Sequence, residues 1–291
     1  MSKILAVTHD DRFHADDVFA SAVLQLVYGD DLEIVRSRKD DVIESADIAY
    51  DVGGIYDSKK SRFDHHQTDG AGERENGIPY AAFGLIWKEF GEKICGSKEV
   101  ALSIEENLVQ PVDAGDNGFS FYTYDIDDVK EYVLDRMCYS FGPTWKEDDD
   151  FDTRFFEVVS IAKMILSREI ITAQHKIEAL PILEASYDPE NGKVLVLDEY
   201  VPFGDFVKDK EGILYVISPS KTKDLWRINA IKKEGFINRK NFPKEWSGLR
   251  DEDLEKITRV KGSKFCHRKL FLAVADTKEG AIELAELSLK N

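Results

Sequence analysis

The sequence predicts an α/β protein: a doubly wound, mainly parallel sheet followed by a smaller α+β domain. Three observations point there. Short apolar, partly β-branched runs at residues 3–8 (KILAVT), 32–36 (LEIVR) and 46–50 (ADIAY) read as buried strands. They alternate with a helical pattern at 16–28, where Val18, Ala22 and Leu26 share one face, and strand–helix alternation favours a sheet with parallel order. Beyond residue 186 the pattern changes to tandem strand-like runs, VLVLDEY and GILYVIS, closed by a single helical pattern at 278–289.

The elements between these follow from local chemistry. The turn DSKKS after GIY joins two short strands as a hairpin. A helix is expected over 79–91 with Pro79 at its first position, where the missing N–H is tolerated, and another over 98–110. The acidic run Glu147-Asp148-Asp149-Asp150 reads as a solvated cap on a long helix at about 152–180. That helix ends near Pro181, and SYDPENGK at 186–193 is a turn signal. Residues 1–183, including the long linking helix, therefore form the first domain and 184–291 the second.

Composition narrows the function. Of 291 residues, 43% are hydrophobic, enough for real cores. The start, MSKILAVTHDDRF, meets His and Asp too soon for a signal peptide, and no apolar stretch reaches the roughly 20 residues that span a bilayer. Cys95, Cys138 and Cys266 are too few and too scattered for a disulfide framework or a cysteine zinc site. They are expected to pack, and the protein to be cytoplasmic. The net charge of −17 is uneven: residues 1–183 hold 19 Lys/Arg against 37 Asp/Glu, and residues 221–269 hold 15 against 7. An acidic half suits cations and a basic patch suits an anion. Overall acidity argues against tight, extended, non-specific duplex binding, which relies on many phosphate contacts.

Four of six histidines fall in the first 66 residues, each beside carboxylates: HDDRFHADD at 9–17 and FDHH at 63–66. Between them Asp51 closes an apolar run before two glycines, and VDAGDNG follows with Asp113 and Asp116. His9 and Asp51 sit where predicted strands end, and open α/β sheets bind ligands beyond those ends. Carboxylates gathered there repel one another unless a cation is shared. Mixed imidazole and carboxylate donors suit manganese, cobalt, iron or zinc better than calcium.

The ordered set resembles the DHH phosphoesterase superfamily, which includes RecJ-type exonucleases, oligoribonucleases and family II pyrophosphatases. More closely, the chain resembles the melanocyte proliferating gene exonuclease family, also labelled metal-dependent protein hydrolase. The matching stretches are THDDRFHADDVFA (8–20), DVGGIYD (51–57), RFDHHQ (62–67), GIPYAAFGLIWKEFG (77–91), VDAGDNG (112–118) and EWSGLRDEDL (245–254). The resemblance implies that His9 and His14 bind one metal, Asp16 and His65 a second, and that Asp51 bridges them. Asp113 or Asp116 completes the second site, with Asp116 slightly preferred. Asp64 orients a neighbouring imidazole and His66 contacts the substrate phosphate. Two departures stand out: Asp11 replaces the family's usual glycine, and the glycine-rich C-terminal stretch is here KFCHRKLFLAVAD (264–276).

The function this implies is a metal-dependent phosphodiesterase, a 3′-to-5′ exonuclease on short single-stranded RNA or DNA. Two divalent ions, manganese foremost with magnesium also among the options, would share an acidified bridging water. Arg250, His267, Arg268 and Lys269 would hold the substrate. Phe119, Phe121, Tyr122, Phe203, Trp226 and Trp246 are available for base stacking, although core packing suits most of them better. Two alternatives remain: hydrolysis of a small phosphoester or phosphoanhydride such as a dinucleotide or pyrophosphate, and a non-catalytic metal-binding regulator. A peptidase is disfavoured because there is no HExxH helix.

Overall fold

In a computed structural model of the chain, the described residues are 3–120, 129, 131–148, 150–190, 192–222 and 224–291. The chain forms two compact units, 1–174 and 175–291. The division falls inside the long helix Phe151–Glu178.

The first unit runs β1 (Ile4–Thr8), α1 (Ala15–Tyr28), β2 (Leu32–Arg36), α2 (Asp40–Ser45), β3 (Ile48–Tyr50), β4 (Tyr56–Asp57) and β5 (Arg62–Phe63). Helices α3 (Ala82–Cys95), α4 (Lys98–Ile104), α5 (Gln110–Asp116), α6 (Leu134–Tyr139) and α7 (Phe151–Glu178) follow. The strand order is β2-β1-β3-β5-β4, parallel except for β4. Side chains alternate between the two faces. Leu5, Val7 and Ala49 meet Val42 and Ile43 of α2, whereas Tyr50 points the other way and shares a 2.5 Å hydrogen bond with Ser21 of α1. Helices thus cover both faces. From β1 the chain moves outward to β2 and then crosses to β3 on the other side. The carboxyl ends of β1 and β3 therefore flank the point where strand order reverses, the place where such sheets leave a crevice.

Three boundaries differ from expectation. Helix α3 begins at Ala82, not Pro79. Pro79 instead pairs with Glu73 in a β-bridge, and its carbonyl accepts from Arg74 Nη1. The helix expected at 98–110 continues through a π-turn at 105–109 into α5, so VDAGDNG sits at a helix C-terminus. The long helix stops at Glu178, and Pro181 lies in the first turn of α8, where proline costs little. Of the acidic run, Asp149 lies outside the described residues, and Asp150 caps α7 by accepting the Thr153 N–H at 3.1 Å.

The second unit adds α8 (Leu180–Ser186), β6 (Val194–Val196), β7 (Tyr215–Pro219), β8 (Trp226–Ala230), a hairpin of β9 (Lys232–Glu234) and β10 (Ile237–Asn238), α9 (Asp251–Thr258), β11 (Ser263–Cys266), β12 (Leu272–Ala275) and α10 (Lys278–Lys290). Its five-stranded sheet is ordered β11-β12-β8-β7-β6, with β6 parallel to β7 and the other pairs antiparallel. Tyr215 and Ile217 face α9 and α10 on one side. Val216, between them, faces Leu183 and Phe206 on the other.

Candidate metal centre

The site is built from the loops that leave three neighbouring parallel strands, closed over by α1 and α5. After β1 comes the loop carrying His9 and His14, and His14 is the N-cap of α1. Asp17, at the third helical position, accepts the His14 backbone N–H at 2.8 Å, half of a capping box. That bond fixes the start of α1 and points Asp16 inward. Asp11 lies in the left-handed region (φ 62°), where glycine is favoured and aspartate is among the tolerated residues. The position that departs from the family pattern thus keeps the glycine-like backbone. Its carbonyl accepts from Arg36 Nη2 at 2.6 Å, and Arg36 also pairs with Asp152 of α7 at 2.7 Å.

Asp51 follows β3, also in the left-handed region (φ 54°), a strain that persists only where the surroundings enforce it. The loop after β5 carries Asp64, His65 and His66. Asp64 Oδ1 accepts from the backbone N–H of His65 at 2.7 Å and of His66 at 3.1 Å, and from His66 Nδ1 at 2.8 Å. Its other oxygen accepts from Gly54 N at 2.5 Å, and Gly54 reaches that position through a φ of 68°. Asp64 is therefore the clasp of the turn and the orienter of His66.

Six of the seven expected metal ligands come together: His9, His14, Asp16, Asp51, His65 and Asp116. One donor atom from each of His9, His14 and Asp51 lies within 4.8 Å of the others. The same holds for Asp51, His65 and His66, for His14, Asp16 and Asp116, and for Asp16, Asp17 and Asp51. Asp51 belongs to three of these four groups. His9 Nε2 is 3.1 Å from Asp51 and 3.3 Å from Asp17, while His65 Nε2 is 3.3 Å from Asp51, 3.4 Å from Asp116 and 3.7 Å from Asp16.

The hydrogen bonds of the cluster leave donors aimed at a cation. His9 Nδ1 donates to the Asp10 carbonyl at 2.8 Å, which leaves Nε2 facing carboxylates, as metal-binding imidazoles are commonly oriented. Both oxygens of Asp16, one of Asp17, one of Asp51 and Nε2 of His65 are buried without a hydrogen-bond partner. Buried acceptors in that state are costly unless a cation meets them. Burial, with Asp51 and Asp116 beside it, drives the Asp16 carboxyl well above its usual range. Burial lifts Asp17 to about 7 against the pull of His9, and it raises Asp116 despite His65. Asp51 moves the other way, because the His65 and His9 imidazoles outweigh its burial. The donor set fits divalent cations, and Asp51 is the atom group they would share.

Asp113 is a correction to the expected ligand set. Its Oδ2 takes a 2.7 Å bond from Arg74 Nη2 and its Oδ1 takes one from Gly84 N at 2.9 Å. It caps the start of α3 and joins none of the four donor groups. Gly84 is required there, since a Cβ would lie 1.8 Å from Asp113 Oδ2. Arg74 also bonds Glu105 at 2.5 Å and covers the Tyr80 ring at 4.2 Å. Breaking a buried ion pair leaves an uncompensated charge, so Arg74→Ala should cost about 3–5 kcal/mol. A thermal melt should show a fall of roughly 10 °C, and a fall below about 2 °C would refute this role.

Sequence reasoning missed Asp17, whose helical position three residues after His14 was the available signal, and Arg38. Arg38 is the one Lys or Arg among the described residues lining a cleft of about 680 Å³ that also holds His9, His14, Asp51, Asp64, His65, His66 and Asp116. Its Nε lies 3.3 Å from Asp10. The remaining predicted contacts belong to the second unit. Arg250 is exposed, with its guanidinium 4.6 Å over Phe265. His267 lies tilted against Phe271, with ring centroids 4.3 Å apart, and accepts the Lys269 N–H, while Arg268 and Lys269 are exposed. Trp246 is buried and Phe203 and Trp226 are partly buried in cores, so those rings pack. Phe119 is half exposed, and Phe121 and Tyr122 lie outside the described residues. Cys95, Cys138 and Cys266 are buried, their thiols pushed to about 11, 12 and 12 by burial.

With this geometry in view, comparison with known proteins is specific. A family model described as MYG1_exonuc, an uncharacterised protein family (UPF0160), matches residues 5–289. The chain belongs to the MYG1 family. It is 32% identical to the MYG1 protein of Caenorhabditis elegans over 97% of this chain and 94% of that protein. Against the Dictyostelium discoideum MYG1 protein the identity is 30%, covering 98% and 96%. It is also 30% identical to the human protein named MYG1 exonuclease, over 97% and 85%. The family match, residues 5–289, spans the whole His/Asp cluster and nearly all of the second unit. No helix among the described residues is long and apolar enough to cross a membrane.

Proposed function

We propose that this MYG1 protein is a two-metal phosphodiesterase of the DHH type, with a doubly wound catalytic unit, that shortens single-stranded RNA or DNA from the 3′ end. The observation that carries this reading is the sharing of Asp51 between the His9/His14 donors and the His65 donors, beside the partnerless Asp16 carboxylate. The exonuclease name of the human relative agrees with it. His9, His14 and Asp51 would hold one cation and Asp16, Asp51, His65 and Asp116 the other, with manganese the best match for mixed nitrogen and oxygen donors. When bound, such a pair supplies an acidified water and neutralises charge at phosphorus.

The chain's own groups do the rest. His66 is outward-facing, with its Nδ1 tied to Asp64; that bond is the main reason its pKa is raised. The proton this favours lets Nε2 donate to a phosphate oxygen. Arg38 offsets the negative wall of the cleft and receives the incoming phosphodiester. Arg38→Ala should raise KM for a short oligonucleotide about tenfold with kcat nearly unchanged, and lysine should restore part of the loss. An unchanged KM would remove Arg38 from substrate binding.

The deciding experiment incubates the protein with a 5′-labelled RNA oligomer, with manganese and with EDTA, beside a pyrophosphate arm. Manganese-dependent laddering from the 3′ end supports the proposal. Phosphate release from pyrophosphate without shortening of the oligomer assigns a small phosphoanhydride substrate instead. No turnover in either arm leaves a metal-binding regulator.

A further inference from the structure

Phe236, on the β9–β10 hairpin of the second unit, is 93% exposed. Exposing a phenylalanine so fully forfeits the burial that normally holds such a side chain in a fold. The ring is flanked by cations: Lys232 Nζ lies 5.4 Å from its centroid and Lys269 Nζ 5.9 Å. Lys269 ties the hairpin to the β11–β12 turn, where its backbone N–H bonds His267 and the His267 imidazole lies tilted against the partly exposed Phe271, with ring centroids 4.3 Å apart. Two aromatic stations, Phe236 and His267/Phe271, are therefore joined by a lysine between them. The surrounding sequence is basic, and Glu234 is the only acidic side chain of the hairpin.

We infer that this strip is a single-strand nucleic-acid platform: Phe236 stacks a base, and Lys232 and Lys269 hold the phosphates on either side. Bases present π-faces regardless of sequence and are separated by anionic links, so alternating rings and cations match that polymer. The exposed apolar residues here are Phe236, Ile237 and Phe271, far less apolar area than the core of a stable protein–protein interface needs, which favours a strand of nucleic acid over a protein partner. The inference rests on the nuclease reading for its substrate class, but binding can be read separately from cleavage. Two aromatic stations with a lysine between them take several nucleotides, so a dinucleotide is too short to fill the platform.

The full chain, in EDTA to prevent turnover, is titrated into fluorescein-labelled oligo(U) and followed by anisotropy at two salt concentrations. Phe236→Ala should weaken binding about tenfold, and Phe236→Trp should retain it with indole quenching on stacking. Lys269→Ala should lower the slope of log affinity against log salt by about one. With manganese, Phe236→Ala should slow shortening of a twelve-nucleotide RNA while leaving cleavage of a dinucleotide within about twofold of the unaltered protein. Binding by Phe236→Ala within twofold of the unaltered protein overturns the platform, as does a change of molecular mass on that substitution without loss of RNA binding. If the oligomer binds through Phe236 but nothing is ever cleaved, the platform stands and the nuclease reading falls.

Discussion

Asp51→Ala should lower manganese-dependent hydrolysis at least about a thousandfold while leaving the fold intact. The size of the effect follows from position. Asp51 contributes to three of the four donor groups, so its loss disrupts both proposed cation positions, whereas the loss of His14 or Asp116 would weaken one more than the other. Its effect on the fold is small because opposing terms meet at one residue. Removing the carboxylate deprives His9 and His65 of a partner at 3.1 and 3.3 Å. It also relieves repulsion with Asp16 and Asp17, both buried beside it. A left-handed aspartate costs on the order of 1 kcal/mol, which Asp51→Gly would recover and Asp51→Ala would not. Initial rates on the RNA oligomer, with circular dichroism melts in EDTA, decide the matter. Activity above a tenth of the unaltered level, or a melt lowered by more than about 10 °C, would contradict the bridging role.

How much of this was legible beforehand depended on how far each decision reached along the chain. His9 and Asp51 were readable because each closes an apolar strand run, and strand ends converge in a sheet of this order; the His65 turn was legible from the run of carboxylate and imidazoles in FDHH. The hairpin was readable from DSKKS. The choice between Asp113 and Asp116 was not, since both lie in one helical turn of α5 and differ only in what faces them. What faces Asp113 is Arg74, 39 residues earlier on a loop with no local pattern. The start of α3 was misplaced for the same reason: Pro79 obeys a local preference, but its carbonyl is taken by that same arginine. Arg38 was one charge among many in SRKDD until the fold put it on the cleft wall. Phe236 carries no signal in the sequence, because exposure is decided by what fails to cover a residue. Asp11 was visible as an oddity, and its φ explains why aspartate rather than a branched residue stands there.

The strongest consequence of a carboxylate cluster lacking donors is a reversal of the usual pH dependence of stability. In the metal-free protein Asp16, Asp17 and Asp116 titrate above their ordinary range. The native state then binds protons more tightly than the unfolded chain, so stability falls as pH rises from near 4 through about 7. His9 and His66, raised by Asp51 and Asp64 respectively, push in the same direction. Their contribution is complete below about 6.5, the unfolded imidazole value, and is lost above it. Asp51 and Asp64, which titrate below their ordinary range, stabilise fully above about 4, and lose that contribution as pH falls through their lowered native values, so they set the acid limit. Without metal, the most stable window is therefore mildly acidic. A cation binds deprotonated ligands, so its stabilisation grows over the same interval in which the metal-free protein weakens. At a hundredfold excess over its Kd, it adds about 2.7 kcal/mol, or roughly 5–10 °C for a unit of this size. Calorimetry in EDTA should find the metal-sensitive transition lower at pH 8 than at pH 5.5. Manganese should restore it at pH 8 and change it little at pH 5.5. An EDTA melt that rises from pH 5.5 to 8, or an equal manganese shift at both, would show that these carboxylates are stabilised by something other than a shared cation.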